Sequence, residues 1–199
     1  MAVEDVMYYN KIVNTIKLAH DIINKSVKVG QTVLDCTVGN GNDTKLLAEL
    51  VGPNGKVYGF DIQSRALEIT IEKLTCENLN NRVILIQDSH ENIDLYIDEK
   101  LDFIVYNLGY LPKGDKNIKT NKKSTLISLN KSLSLLNDNG IILVSCYVGH
   151  DGGMEEKNGV EELLRNLDQK KFNVIKYDFI NQGNFPPILY GIEKSKTRR

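Results

Sequence analysis

The amino-acid sequence predicts an α/β fold: a seven-stranded, mostly parallel sheet with helices on both faces and an antiparallel hairpin that closes it. Apolar, strand-like runs alternate with segments of helical periodicity along most of the 199 residues, a pattern typical of parallel sheets joined by right-handed crossovers. The last two apolar runs are joined by a short connection containing glycine and proline, which indicates a hairpin. The length favours a single domain over residues 1–199, because it permits one well-buried core and is short for two.

The first half of the chain is predicted to contain three helices and three strands. Apolar residues at helical spacing indicate a first helix that ends near Ser26. Strands are then predicted over 32–36, 56–62 and 82–88, with helices over 43–52 and 64–78 between them. Gly52-Pro53 ends the first of these two helices, and Ser64 is the predicted cap of the second.

The second half continues the alternation and then closes the sheet. A strand over 101–107 precedes a helix over 124–136, and a turn at Asp138-Asn139-Gly140 leads into a strand over 141–147. A helix over 155–167 follows. The two runs over 172–179 and 188–194 form the predicted hairpin.

Composition excludes several classes of protein. The chain is 41% hydrophobic and 26% charged with a net charge of -1, which is ordinary for a soluble globular domain. No run approaches the roughly 18 apolar residues of a membrane span, and the acidic amino terminus lacks a signal-peptide profile. Three cysteines without a C-x-x-C pair indicate neither a disulfide framework nor a zinc ribbon. We therefore expect a cytoplasmic protein that needs no membrane and no metal.

The segment "DCTVGNGNDT" (35–44) joins the first strand to the next helix. Gly39 and Gly41 let the backbone turn tightly and approach a ligand, although a lone G-x-G also fits a plain strand-to-helix turn. A dinucleotide fingerprint would have a third small residue where this chain has Thr44, and the Gly-Lys-Ser/Thr of a P-loop is absent. Asp35 at the strand end would repel a pyrophosphate and attract a cationic amino group.

Acidic and polar residues also follow the second and third strands. Asp61 is placed to accept both hydroxyls of a ribose, as acids do at this position in nucleotide-binding folds. Asp88, Ser89 and His90 follow the third strand, where they could meet an adenine edge and an amino group. Two plainer interpretations stay open, namely that Asp61 caps the following helix and that His90 is an ordinary loop histidine.

Together these segments resemble the Rossmann-like Class I S-adenosylmethionine-dependent methyltransferases. The resemblance covers most of the chain, including the closing hairpin. It implies S-adenosylmethionine as cofactor and assigns two groups of residues to it. Around the methionine and ribose part it places Gly39, Asn40, Gly41 and Asn42; at the ribose and adenine it places Asp61, Ile62 and Gln63, with Ser89 and His90 nearby.

The fourth strand ends in "YNLGYLP" (106–112). Enzymes of this class that methylate nitrogen carry Asp/Asn-Pro-Pro-Tyr there, and this chain keeps Asn107 and Tyr110 but lacks both prolines. An amide oxygen can accept N–H bonds from an amine and orient its lone pair for in-line displacement, and Tyr110 can stack on a base. Cys36 and Cys146 are interpreted as small buried hydrophobes rather than nucleophiles.

Basic and glycine-rich segments follow the fourth and fifth strands. Residues 111–123 have a net charge of +4, which suits RNA phosphates, although a solvated lysine-rich loop is the plainer interpretation. In "VGHDGGMEE" (148–156), His150 could remove a proton or contact the substrate, or could be structural. The predicted RNA-binding residues are Lys113, Lys116, Lys119, Lys122 and Lys123.

The set "DCTVGNGNDT", "GFDIQ", "NLGYLPKGDK" and "GHDGGMEE" is similar to a narrower family of small bacterial proteins first labelled putative rRNA methylases. Members are linked to methylation of wobble 5-aminomethyl-2-thiouridine in tRNA. The resemblance implies a tRNA anticodon-region substrate and a helix over 1–26 that covers the substrate side. Asp151 stands where relatives are expected to have proline.

Three other functions stay open, and so does the oligomeric state. The first is another nitrogen methyltransferase acting on rRNA or on a protein glutamine. The second is a non-catalytic RNA-binding module with the same fold. The third, an NAD-dependent oxidoreductase, is disfavoured by Thr44. The sequence does not decide whether the chain forms a homodimer.

Overall fold

A computed structural model of the chain describes residues 14–109 and 119–196. These residues form a seven-stranded sheet in the order β3-β2-β1-β4-β5-β7-β6. Strands β1 to β5 pair in parallel, and β7 runs antiparallel to both β5 and β6. The predicted fold class is confirmed, including the closing hairpin.

The strand bounds place the carboxyl ends of the parallel strands on one edge of the sheet. The strands are β1 (Thr32–Asp35), β2 (Lys56–Phe60), β3 (Val83–Ile86), β4 (Leu101–Leu108), β5 (Leu136–Cys146), β6 (Phe172–Tyr177) and β7 (Ile188–Lys194). Because Cys146 pairs with Ile188, the connection between β6 and β7 lies at this same edge. It is the edge at which open α/β sheets bind ligands.

Five α-helices and two short 3₁₀ helices connect the strands in the described ranges. The α-helices are α1 (Thr15–Ser26), α2 (Asn42–Val51), α3 (Ser64–Cys76), α4 (Lys122–Leu135) and α5 (Gly153–Arg165). The 3₁₀ helices are Asn80–Arg82 and His90–Leu95. None of the helices in these ranges is long and apolar enough to cross a membrane.

Successive side chains along each strand point to opposite faces of the sheet, and this divides the core into two layers. On β1, Val33 packs with the layer under α1, α2 and α3, whereas its neighbour Leu34 packs with the layer under α4 and α5. On β4, Phe103 and Ile104 divide between the layers in the same way. Both faces of the sheet are therefore covered, as the nearly continuous apolar runs of its strands require.

The structure corrects three details of the predicted elements. The turn at Asp138-Asn139-Gly140 is an irregularity within β5, where the pairing shifts from Leu101 with Leu136 to Phe103 with Ile141, and Asn139 takes a left-handed φ of 61°. The cap residue of α3 is Gln63, and Ser64 is the first helical residue. Strands β2 and β3 stop at Phe60 and Ile86, so Asp61 and Asp88 lie in loops.

Helix α4 begins two residues before its predicted start. The side chain of Asn121 accepts a hydrogen bond from the Ser124 backbone N–H, and this cap draws Lys122 and Lys123 into the first turn. The sequence pattern places both lysines in the preceding basic loop, and the structure corrects this.

Close packing at Gly41 holds α2 and α3 together. Gly41 is the N-cap of α2 with a φ of 70°. A Cβ atom there would lie 2.4 Å from Thr70 Oγ1 on α3. Gly41, which the family resemblance assigns to the cofactor, therefore allows α2 and α3 to pack closely.

We predict that Gly41→Ala lowers the free energy of unfolding by about 2 kcal/mol or more, because it adds a clash to backbone strain. Gly30→Ala is the matched control, since Gly30 also has positive φ but a Cβ there meets nothing within 4 Å. Chemical denaturation of both variants measures the difference. In a Thr70→Ala background, which removes the two nearest atoms, the cost of Gly41→Ala should fall toward that of the control. An unchanged cost would contradict the packing explanation.

Candidate functional site

A cavity of about 940 Å³ opens at the carboxyl ends of the parallel strands. Its walls come from the loops after β1, β2, β3, β4 and β5, from α1 and from the connection between β6 and β7. The predicted site residues that line it are Gly39, Asn40, Asn42, Asp61, Ile62, Gln63, Asp88, Ser89, His90, Asn107, Lys119 and His150.

The loop after β1 is held in shape by bonds from two other elements. The Gly39 N–H donates to Asp61 Oδ2 at 2.9 Å, which joins the loop to the end of β2. Lys73 on α3 donates to the Asn40 carbonyl at 2.6 Å and to Asn42 Oδ1 at 2.7 Å. Gly39 takes a φ of 52°, a conformation that glycine adopts without strain. The loop is therefore fixed before any ligand binds.

Asp35 lies behind this loop and not in the cavity wall. It is fully buried, and its two oxygens accept bonds from the Thr37 N–H at 3.1 Å and the Thr44 hydroxyl at 2.6 Å. Burial raises the pKa of the Asp35 carboxyl to about 7. The direct cofactor contact predicted for Asp35 is not what the structure shows. Thr44 stands where a dinucleotide fingerprint would have its third small residue. In this chain the Thr44 hydroxyl bonds the buried Asp35 carboxyl.

Gly41 likewise does not line the cavity, because it is buried against Thr70. In this segment the carboxylate in the cavity wall is that of Asp43, the second residue of α2.

Polar and apolar groups for a nucleoside meet on the β2–β3 side. The Asp61 carboxylate accepts from Gly39 and, at 2.9 Å, from the Gln63 N–H, and burial raises its pKa. Phe60 and the half-exposed Ile62 supply apolar wall. His90 is buried, and burial lowers its pKa to about 4, so its ring is neutral near pH 7.

These residues fit the cofactor that the fold implies. Among the described residues, His90 Nδ1 is a buried polar atom with no hydrogen-bond partner in the protein. Buried polar atoms normally have such a partner, and a bound ligand could supply it. Asp61 retains acceptor capacity for ribose hydroxyls. Asp61 is not the cap residue of α3, because its bond goes to the N–H of Gln63, which is itself the cap; the ribose interpretation stays a prediction. Asp88 accepts from Tyr96 at 2.8 Å, from Asn92 and from the Ser89 N–H, and these bonds lower its pKa.

On the side of the cavity away from β2 and β3, an amide from β4, a carboxylate from α2 and an imidazole from α1 come together. Asn107 Nδ2 donates to Asp43 Oδ2 at 2.6 Å, and His20 Nε2 lies 2.7 Å from Asp43 Oδ1. The Asn107 backbone N–H donates to the Thr37 hydroxyl at 2.7 Å. Asn107 is thus held by both its backbone and its side chain in the cavity wall.

Asp43 and His20 were missed as site residues, for different reasons. Asp43 lies within the segment "DCTVGNGNDT", and its place two residues after Gly41, in the first turn of a helix, could have signalled it. His20 lies on α1, far from the loops in sequence, and only the packing of α1 on β5 and β7 brings it to the site. Tyr147 and Phe185 also line the cavity without having been predicted.

The remaining predicted residues divide into three groups. Tyr110, Lys113 and Lys116 lie outside the described residues. Lys119 forms an ion pair with Asp151 at 2.9 Å, which joins two loops at the cavity. The stem of Lys122 packs against Gly159 of α5, and Lys123 is exposed.

His150 lies close to the same pair of loops. Its Nδ1 lies 3.0 Å from the Asp151 carbonyl oxygen, and its ring contributes to the cavity wall. The proton-removing and structural interpretations of His150 both fit this position.

Cys36 and Cys146 are buried, as predicted. Burial raises the pKa of the Cys36 thiol well above its usual range and that of Cys146 likewise. Since the thiolate is the nucleophilic form, neither cysteine is poised for covalent catalysis.

The family described as "Putative rRNA methylase" matches residues 57–193 of the chain. The chain belongs to this family. A solved structure titled "putative rRNA-methylase from Clostridium thermocellum" shares 51% identity with it, at a TM-score of 0.90 over 94% of this chain and 100% of that chain. A Streptococcus mutans putative methyltransferase in complex with SAH shares 36% identity, at a TM-score of 0.82 over 94% of this chain and 99% of that chain.

A curated relative from Arabidopsis thaliana is named "tRNA (mnm(5)s(2)U34)-methyltransferase, chloroplastic". It is 31% identical over 184 residues, which cover 87% of this chain and 67% of the relative. With the family, these likenesses make the chain an S-adenosylmethionine-dependent RNA methyltransferase. The cofactor supplies a methyl group on a sulfonium, and the cavity described above is the candidate place for it.

We predict that Asp61→Ala weakens S-adenosylmethionine binding about ten- to a hundredfold, because it removes a charged acceptor for the ribose. Calorimetry with S-adenosylhomocysteine and S-adenosylmethionine measures the change. Glu49→Ala, on the exposed face of α2, is the control and should bind normally. A folded Asp61→Ala protein with unchanged affinity would exclude Asp61 from the cofactor site.

Proposed function

We propose that this methylase transfers a methyl group to the 5-aminomethyl nitrogen of a wobble 2-thiouridine in tRNA. The observation that carries the proposal is the Asn107–Asp43 pair at the carboxyl end of β4. A carboxylate beside an oriented amide suits a primary amine, which is cationic near pH 7, better than an uncharged ring nitrogen. The name of the Arabidopsis relative gives the same substrate class.

The geometry at Asn107 defines its part in the reaction. Asp43 can only accept hydrogen bonds, so it orients the Asn107 amide with Nδ2 toward itself and Oδ1 away. The oxygen is then the atom that accepts an N–H bond from the substrate amine. Such alignment accelerates in-line displacement without a covalent intermediate, in agreement with the inert cysteines.

The outer wall of the cavity suits a nucleobase. Phe185 is 65% exposed and Ile16 is 46% exposed, and both line the cavity. Phe185 has a φ of 52°, which is rare for a bulky residue, so its backbone is strained in presenting the ring. We propose that Phe185 stacks on a base of the RNA. A role for Tyr110 in stacking stays a prediction.

The other proposed properties concern binding, location and assembly. The basic residues of 111–123 are proposed to contact phosphates near the anticodon, with Lys119 oriented by Asp151. Helix α1 contributes Ile16 and His20 to the cavity, which agrees with a substrate-side cover. A cytoplasmic location, a single domain over 1–199 and a homodimer stay predictions.

An rRNA nitrogen is the second candidate substrate, favoured by the description of the family. A protein glutamine fits less well, because its neutral amide gives Asp43 no cation to attract. Identifying which molecule carries the new methyl group (tRNA, rRNA or protein) distinguishes both alternatives from the tRNA proposal.

We predict that the purified protein methylates tRNA bearing 5-aminomethyl-2-thiouridine and leaves tRNA bearing plain 2-thiouridine unmodified, because only the first offers the amine. Mass analysis of nucleosides after single turnover measures this. Asn107→Ala should lower the rate of that turnover about a hundredfold while tRNA and cofactor affinities stay near those of the wild type. Methylation of rRNA alone would contradict the substrate assignment.

We predict that Phe185→Ala weakens tRNA binding by about 1–3 kcal/mol, the usual contribution of stacking one base on an aromatic ring. Phe185→Tyr should restore the affinity. Ile180→Ala is the matched control, because Ile180 is 97% exposed in the same connection but does not line the cavity. Equal effects of Phe185→Ala and Ile180→Ala in a fluorescence-anisotropy titration would contradict the stacking role.

A further inference from the structure

His20, Asp43 and Asn107 form a continuous chain of hydrogen-bonded groups in the cavity wall. The two Asp43 oxygens are divided between them, with His20 at 2.7 Å on Oδ1 and Asn107 at 2.6 Å on Oδ2. The side chain of Asp43 is 14% exposed, whereas that of His20 is 35% exposed. The chain of groups thus runs from the site of the acceptor amine toward solvent.

A primary amine presents a chemical requirement that this arrangement meets. Near pH 7 it is an ammonium ion with no free lone pair, so it must lose a proton before it can take a methyl group. The oriented Asn107 amide can align the nitrogen but cannot accept a proton. A proton acceptor within reach of the same nitrogen is therefore needed.

We propose that His20, paired with Asp43, accepts the proton that the substrate ammonium loses; this inference rests on the proposed amine substrate. The N–H bond breaks, its electron pair stays on nitrogen, and the proton passes to the Nδ1 lone pair of His20, whose ring is held in the cavity wall by its Nε2 bond to Asp43. The freed lone pair then forms the bond to the methyl group, while the sulfur–carbon electron pair stays on sulfur. The product nitrogen carries one positive charge, and the proton leaves His20 for solvent.

The tautomer of His20 follows from its partner. Because the Asp43 carboxylate only accepts, a neutral His20 must carry its hydrogen on Nε2, which leaves the Nδ1 lone pair to take a proton. The hydrogen bond with Asp43 raises the pKa of His20 above 6.5, burial lowers it, and the charges of Asp43 and Asp21 raise it further. The partial exposure of the ring allows the proton to exchange with water.

Other charged and titratable groups surround the pair. Asp21 lies on α1 itself, and Tyr147 at the end of β5 and Asp35 at the end of β1 interact electrostatically with Asp43. His150 and Lys119 line the same cavity from the loops that follow β5 and β4. Of the cavity histidines, His90 has a pKa of about 4, which makes it a poor acceptor near pH 7.

Single-turnover methylation of the aminomethyl tRNA, measured as a function of pH from about 6 to about 9, tests the proposal. A neutral His20 is the active form, so the wild-type rate should rise with pH through the His20 pKa and then level off. His20→Gln can still donate to Asp43 but cannot accept the proton. We expect it to be about a hundredfold slower near pH 7, with a rate that keeps rising with pH. Cofactor and tRNA affinities should stay within about threefold.

Lys17→Gln, an exposed change on the same helix, is the matched control and should keep the wild-type profile. A His20→Gln protein with the wild-type rate and profile would overturn the proposal, since holding Asp43 would then be enough. The outcome is distinct from failure of the proposed function, because in that case the wild-type protein would itself leave the aminomethyl tRNA unmodified.

A second readout does not depend on methyl transfer. The chain has 3 histidines, so their titrations can be assigned by NMR in the complex with S-adenosylhomocysteine. The His20 pKa should lie above 6.5 and fall in Asp43→Asn, which loses the charge but retains an acceptor oxygen. A His20 titration that is unaffected by Asp43→Asn would overturn the pairing on which the proposal depends.

Discussion

The buried carboxyl of Asp35 joins the end of β1 to the start of α2, and the geometry of the site depends on that connection. Its bonds to the Thr37 N–H and the Thr44 hydroxyl fix both ends of the intervening loop. Thr37 in turn accepts from the Asn107 backbone, which couples the loop to β4. Asp43, next to Thr44, is thereby placed against the Asn107 side chain. A change in the path of this loop would displace the groups on both sides of the cavity together.

The carboxyl groups in and behind the cavity wall have different surroundings. Burial brings the pKa of Asp35 to about 7, so part of its charge is removed where no ligand could balance it. Burial also raises the pKa of Asp61, but this carboxyl accepts backbone N–H bonds from Gln63, Gly39 and Ile62 that favour its charged form. Asp43 faces the His20 imidazole, the Asn107 amide and the cavity. This distribution suits a site whose cofactor carries a sulfonium and whose proposed acceptor is an ammonium, since negative charge is kept at the wall and away from the core.

The substrate side is built from segments that are distant in sequence. Helix α1 contributes Ile16 and His20, and the connection before β7 contributes Phe185. The antiparallel direction of β7 is what brings that connection to the carboxyl edge. The ion pair between Lys119 and Asp151 joins two further loops there. An exposed ion pair of this kind contributes little stability, so its main consequence is to position a lysine near the entrance.

The sequence by itself determined the fold class, because the spacing of its apolar residues shows which face of each strand or helix is buried. A period of two residues indicates a strand and one of 3.6 residues a helix. It also placed the polar strand ends on one edge, since parallel strands share a direction, and the structure has Asp61, His90 and Asn107 lining one cavity there. Only the tertiary structure decided that Asp35 is buried behind the loop while Asp43 lines the cavity. The two carboxylates differ in their partners, because Asp35 accepts from Thr44 on α2 and Asp43 accepts from Asn107 on β4. His20 required the structure for the same reason: local sequence carries no signal for which groups on a helix face a distant strand end.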